Sequence, residues 1–201
     1  MGGSVRASQP NEEPGIQRRE RMWLPLFAVM AALLLVVAGG YLVAGALSEP
    51  AGPPIRVSGV VQIQPLSGWS LAGRGRLVSP TGPKFARLTR GGGSIDVAAY
   101  PGAGGTPEAL AELYKRTLEG ELTRLSVSSQ LESIRTTSGL RGVRFSYAGV
   151  FAETSTPIDG EVTVIIGPSG NGATFDGWAP AGLLSYASGD IGAMVGAAVV
   201  T

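Results

Sequence analysis

Between Arg21 and Glu49 the chain runs for 27 residues, Met22 to Ser48, without one charged side chain. A bilayer core of about 30 Å takes roughly 20 apolar residues of α-helix, so residues 22–47 read as a single transmembrane helix, tilted to fit. Arg18, Arg19 and Arg21 crowd the N-terminal flank, while the other flank has Glu49 and no basic residue before Arg56. Short basic flanks stay on the cytoplasmic side. The expected location is therefore the cell membrane, single-pass, with the N-terminus cytoplasmic and the C-terminal domain extracytoplasmic. Trp23 and Tyr41 lie towards the two ends of the run, where amphipathic rings favour the headgroup layer.

Ala44-Gly45-Ala46 has the small-x-small form of a signal-peptidase site. The apolar part of a secretory signal spans roughly 7–15 residues, and about twenty precede this site, so an uncleaved anchor is the better reading. Arg18-Arg19 lacks the apolar follow-up of a twin-arginine signal. Gly40 and Ala44 have the spacing that lets helices approach closely, although such pairs are common in any span rich in Gly and Ala.

The chain has no Cys and no His. Without Cys there is no disulfide, no lipidated cysteine and no thiolate nucleophile; without His there is no Ser-His-Asp set and no imidazole ligand for a metal. No cofactor or metal is expected. Two lysines, Lys84 and Lys115, stand among sixteen basic residues, a bias of GC-rich genomes such as those of actinobacteria. From Ser48 onward basic and acidic residues balance, and a neutral domain has no general electrostatic pull on nucleic acid. All basic residues precede position 145 and only acids follow it, so the surface is expected to be dipolar.

Residues 1–21, almost without apolar side chains, read as a disordered cytoplasmic tail, and residues 48–56, opening SEPAGPP, as a Pro-rich linker. Residues 57–201 are the size of one domain. Short β-prone runs at 60–64, 75–79, 85–89 and 94–100, separated by Gly and Pro, predict four antiparallel strands, with Gly91-Gly92-Gly93 supplying a hairpin turn. Neither Gly91-Gly92-Gly93 nor Gly170-Asn171-Gly172 is followed by the lysine of a phosphate loop.

Thr106 as N-cap, Pro107 at N1 and Glu108 in the first turn open a long helix. Its apolar stripe reads Leu110, Leu113, Tyr114, Leu118, Leu122 and Leu125, weakened by Gly120, and Glu112 with Arg116 forms an i,i+4 pair on the solvated face. Strands are predicted again at 131–136 and 141–151, joined through Ser138-Gly139, at 161–167 after a turn at Asp159-Gly160, and from Ala173 to near Trp178. A short C-terminal helix at 191–197 follows, with Asp190 as its N-cap. The expected fold is α+β: an antiparallel sheet with one long amphipathic helix and a short C-terminal helix, a sandwich preceded by the transmembrane helix.

Pro65-x-x-Gly68-Trp69 after the first strand, the early meander, the single amphipathic helix and the Gly142-x-x-Phe145-x-Tyr147 strand together resemble the PsbP-like fold. Within it the likeness is to exported actinobacterial lipoproteins of the LpqN type. The resemblance covers residues 57–201, but this chain carries a membrane span where those proteins carry a lipidated cysteine. It implies a largely non-enzymatic role in binding proteins or lipidic envelope components during assembly or transport.

The acids Asp96, Glu132, Glu153, Asp159, Glu161, Asp176 and Asp190 would permit glycoside chemistry, but no spacing identifies a pair. Glu108 and Glu112 share a helix face with basic neighbours, Asp159 and Glu161 are too few for a calcium loop, and Ser70, Ser146 and Ser169 have no base. No catalytic residue is expected. Trp69 and Trp178 read first as core plugs. The sharper reading is a ligand- or partner-binding set of Trp69, Phe151, Trp178 and Tyr186, with Phe151, Trp178 and Tyr186 sharing one apolar groove. The expectation is a non-enzymatic, membrane-tethered interaction module with an envelope protein partner; the alternative is a carrier that encloses a lipid or other apolar small molecule in its sandwich.

Overall fold

The computed structural model describes residues 52–77 and 82–201. The predicted tail and transmembrane helix lie outside the described residues, as do the start of the linker and the end of the strand predicted at 75–79. Among the described residues no helix is long and apolar enough to cross a membrane.

The strands are β1 (Ile55–Val57), β2 (Val61–Ile63), β3 (Ser70–Arg76), β4 (Lys84–Arg90) and β5 (Gly93–Tyr100). After helix α1 (Pro107–Glu121) come β6 (Leu122–Val127), β7 (Glu132–Arg135), β8 (Arg141–Phe151), β9 (Pro157–Ile166) and β10 (Gly172–Pro180), then α2 (Ser185–Gly196) and β11 (Val199–Val200). Eight strands form one antiparallel sheet in the order β3-β4-β5-β10-β9-β8-β6, with β7 also on β8; β1, β2 and β11 form a second, small sheet.

The central strands β5 and β10 are buried on both faces, which divides the core in two. One face packs Leu110, Tyr114 and Leu118 of α1 over Phe145, Val162 and Val164. The other packs Ile191 and Met194 of α2 and the small sheet over Leu88, Ile95, Val97 and Phe175. A run such as SIDVAAY therefore alternates between two interiors and not between core and water.

Helix α1 starts as its caps dictate: the Thr106 hydroxyl accepts from the Ala109 amide at 3.3 Å, and Pro107 occupies the first turn. It ends sooner than the stripe predicts. Leu122 has extended dihedrals and pairs with Phe151, so Leu122 and Leu125 belong to β6. Gly120 weakens the last turn, and a place on the free side of β8 satisfies the backbone better. Leu113 is 50% exposed, off the buried stripe, and Glu112 pairs with Lys115 at 2.7 Å where Arg116 was expected.

Four further expectations need correction. β1 begins within the predicted linker, at Ile55, and runs into the domain, because Ile55 and Val57 bury their side chains against the core. Most of β3 precedes the predicted run at 75–79; its side chains are largely exposed, so it has no apolar alternation to read. Asp159-Gly160 lies within β9, and the chain reverses at 152–156, where the Phe151 amide donates to Thr156 at 3.0 Å. Finally, α2 begins at Ser185, so Asp190 sits mid-helix and turns inward, accepting from Trp69 Nε1 at 2.9 Å and from Arg90.

Candidate functional site

In the β5–β10 ladder Asp96 stands directly opposite Asp176, both side chains under α1 and only 6% and 4% exposed. Two carboxylates at adjacent positions in an interior repel each other and lose hydration, so each needs its own partners. They solve this differently.

Asp96 is held by charge. Arg87 of β4, its neighbour in register, donates Nε to Oδ1 and Nη2 to Oδ2, both at 2.6 Å, and Trp178 Nε1 donates to Oδ2 at 3.3 Å. This bidentate bond is the largest cause that raises the Arg87 pKa. The guanidinium also lies over the rings of Trp178 and Phe85, at 5.3 and 5.8 Å.

Among the described residues Asp176 is held by phenols alone. Tyr114 of α1 donates to Oδ2 at 2.9 Å and Tyr147 of β8 donates to Oδ1 at 2.8 Å. Burial pushes the Asp176 carboxyl up to about 7; the Asp96 charge adds to this and the two phenols oppose it. Burial first, then the Asp176 charge, raises both tyrosines well above their ordinary value. Tyr147 reaches across the sheet because Gly160, its partner in β9, has no side chain; a Cβ there would overlap the Tyr147 ring.

Arg87 and Trp178 form the floor of a cleft of about 890 Å³, open to solvent on one side. Its walls include Phe85, Phe151 and Ile158, with Arg76, Glu121 and Glu153 among its charged groups. Phe151 meets Trp178 edge to face with ring centroids 5.0 Å apart. Burial raises the Glu121 pKa, with further contributions from Asp96 and Glu153. The cleft thus presents an aromatic wall fixed from behind by an ion pair.

Of the predicted groove, the structure brings Phe151 and Trp178 together and leaves Tyr186 out. Tyr186, 83% exposed, stands on α2 at the opposite face of the sheet, beside Trp69 in a separate depression of about 280 Å³. Trp69 is 5% exposed and is the core plug that its first reading described; Trp178 is half-buried. Sequence reasoning missed Arg87, Tyr114 and Tyr147 and could not pair Asp96 with Asp176. The available signal was a lone Asp in each of two apolar strands, SIDVAAY and ATFDGWAP.

Among the described residues no cluster of three or more His, Cys, Asp or Glu could hold a metal ion. No family model matches the chain, and no curated protein matches it.

Proposed function

We propose that the protein is a non-enzymatic, membrane-tethered interaction module whose extracytoplasmic domain assists envelope assembly or transport, with the cleft at Phe151 and Trp178 as its docking face. The observation that carries this reading is the cleft itself: an open aromatic wall whose geometry is set before any partner arrives. Arg87 is held by Asp96 and by two rings, so little ordering entropy remains to be lost on binding. Aromatic anchors beside charges of both signs suit a protein segment that inserts an apolar side chain and meets charged neighbours at the rim.

The carboxylate pair supports a holding role over a catalytic one. Neither Asp96 nor Asp176 lines the cleft, and their oxygens are engaged by Arg87, Trp178, Tyr114 and Tyr147. Element order, with its antiparallel sheet and two helices, is in keeping with the PsbP-like, LpqN-type resemblance.

The carrier reading draws on the cleft volume, which matches pockets for small ligands of roughly 300–1,000 Å³. Against it stands the open side, since a carried lipid needs an enclosure. Native mass spectrometry of the full chain, released from its own membrane, separates the two. A protein partner retained in the complex supports the module; a bound small mass in place of any partner overturns it in favour of the carrier.

A further inference from the structure

We propose that the cleft between Arg76 and Lys84 is an anion site for a phosphate group, supplied either by a lipid headgroup or by free phosphate. Arg76 of β3 and Lys84 of β4 are direct partners across an antiparallel ladder. Like charges placed so repel, and sheets ordinarily avoid the arrangement. Among the described residues neither cation lies within ion-pair distance of a carboxylate. Among the described residues Arg76 donates one Nη1 bond, to the Gly82 carbonyl at 2.9 Å, which orients the fork.

Both side chains line a cleft of about 690 Å³ at the end of the sheet, and among the described residues no acid lines it. Ser58, Tyr100 and Leu113, an exposed leucine on α1, also line it.

The wider field favours the same ligand. From residue 52 to residue 101 the chain carries Arg56, Arg74, Arg76, Lys84, Arg87 and Arg90 against Asp96 alone. Arg87 is neutralised by Asp96 and Arg90 by Asp190, while Arg56, Arg74, Arg76 and Lys84 of β1, β3 and β4 pair with no carboxylate among the described residues. A cleft lined by one sign of charge focuses its field and concentrates counter-ions. A fork and a point charge side by side suit a compact dianion.

The full chain in non-ionic detergent and phosphate-free buffer provides the test, with three probes: inorganic phosphate, a short-chain phosphatidic acid and a short-chain phosphatidylcholine. Phosphate or phosphatidic acid should raise the melting temperature, and Arg76→Gln or Lys84→Gln should each weaken that binding about tenfold or more. Arg116→Gln, on the exposed face of α1, should bind as the parent does. Without anion the two cleft variants should melt no lower than the parent, because each removes a repulsion. Saturation by phosphatidic acid far below the phosphate concentration needed supports the site with a headgroup as its source; equal potency supports it with free phosphate. Absence of a shift with both anions, a shift kept by the double variant, or an equal response to phosphatidylcholine overturns the proposal.

Discussion

Tyr147 donates its hydroxyl to Asp176 at 2.8 Å across the width of β9, over a glycine, Gly160, that leaves room for the ring. A buried carboxylate with no cation partner among the described residues thereby depends on a close packing contact two strands away. The same carboxylate borders Asp96, whose Arg87 and Trp178 partners floor the aromatic cleft. Packing, buried charge and the candidate docking face are thus one connected arrangement.

Gly160→Ala should cost about 2–4 kcal/mol, since the new methyl cannot be accommodated without moving the Tyr147 ring. The cost should be strongly non-additive with Tyr147→Ala, which empties the space that the methyl needs. Chemical denaturation of the two single variants and the double variant measures the coupling. Simple additivity would show that the ring and the glycine are not in opposition.

Asp176 governs a pH dependence of stability. Its folded-state pKa, about 7, lies above the unfolded value of 3.8, so the folded protein holds this proton while the unfolded chain has already released it. Stability from this group is fully present below the unfolded value and is lost as pH rises from about 4 through 7, on the order of 4 kcal/mol over that window. Asp176→Asn should flatten that slope and leave the variant relatively more stable above pH 7. Thermal melts of both proteins from pH 4 to 8 decide it; parallel profiles would exclude Asp176 as the cause.

Removing Arg87 should be worse than removing its pair. Arg87→Ala leaves Asp96 buried without its cation and should cost about 2–3 kcal/mol, discounted for the partly exposed guanidinium. Adding Asp96→Asn to that variant should recover part of the loss, because no charge is then stranded. A double-mutant cycle by denaturant unfolding measures the recovery, and a double variant weaker than the sum of the singles would contradict this account.

The two tryptophans should respond differently. Trp69 fills the α2 side of the core and donates to Asp190, so Trp69→Ala should cost about 3–5 kcal/mol. Trp178 is half-buried at the cleft, and Trp178→Ala should cost distinctly less while abolishing partner binding. Melting temperatures set beside a binding assay make the comparison; an equal collapse of both variants would return Trp178 to the role of a core plug.

Much of this architecture could be read in the sequence where a local signal existed. Thr106-Pro107 marks the start of α1, and the strands predicted from 85–89 to the one ending near Trp178 come within a few residues of β4, β5, β7, β8, β9 and β10. Legibility failed where tertiary pairing overrides pattern. Leu122 and Leu125 continue a helical stripe, yet the free side of β8 turns them into a strand. Asp190 looks like a cap, yet Trp69 and Arg90 draw it into a helix interior. The groove of Phe151, Trp178 and Tyr186 was half legible, because nothing local places Tyr186 on the far face of a sheet. The Asp96–Asp176 pairing depends on the register between β5 and β10, strands separated by most of the domain.

A photo-crosslinking residue placed at Thr156, in the cleft lining, tests the docking face in the full chain in intact cells. The account predicts one discrete adduct with an envelope protein, absent when the probe stands at Arg116 and lost on Trp178→Ala without a comparable fall in melting temperature. Recovery of the uncrosslinked chain alone in every growth condition, or an adduct indifferent to both changes, would contradict it.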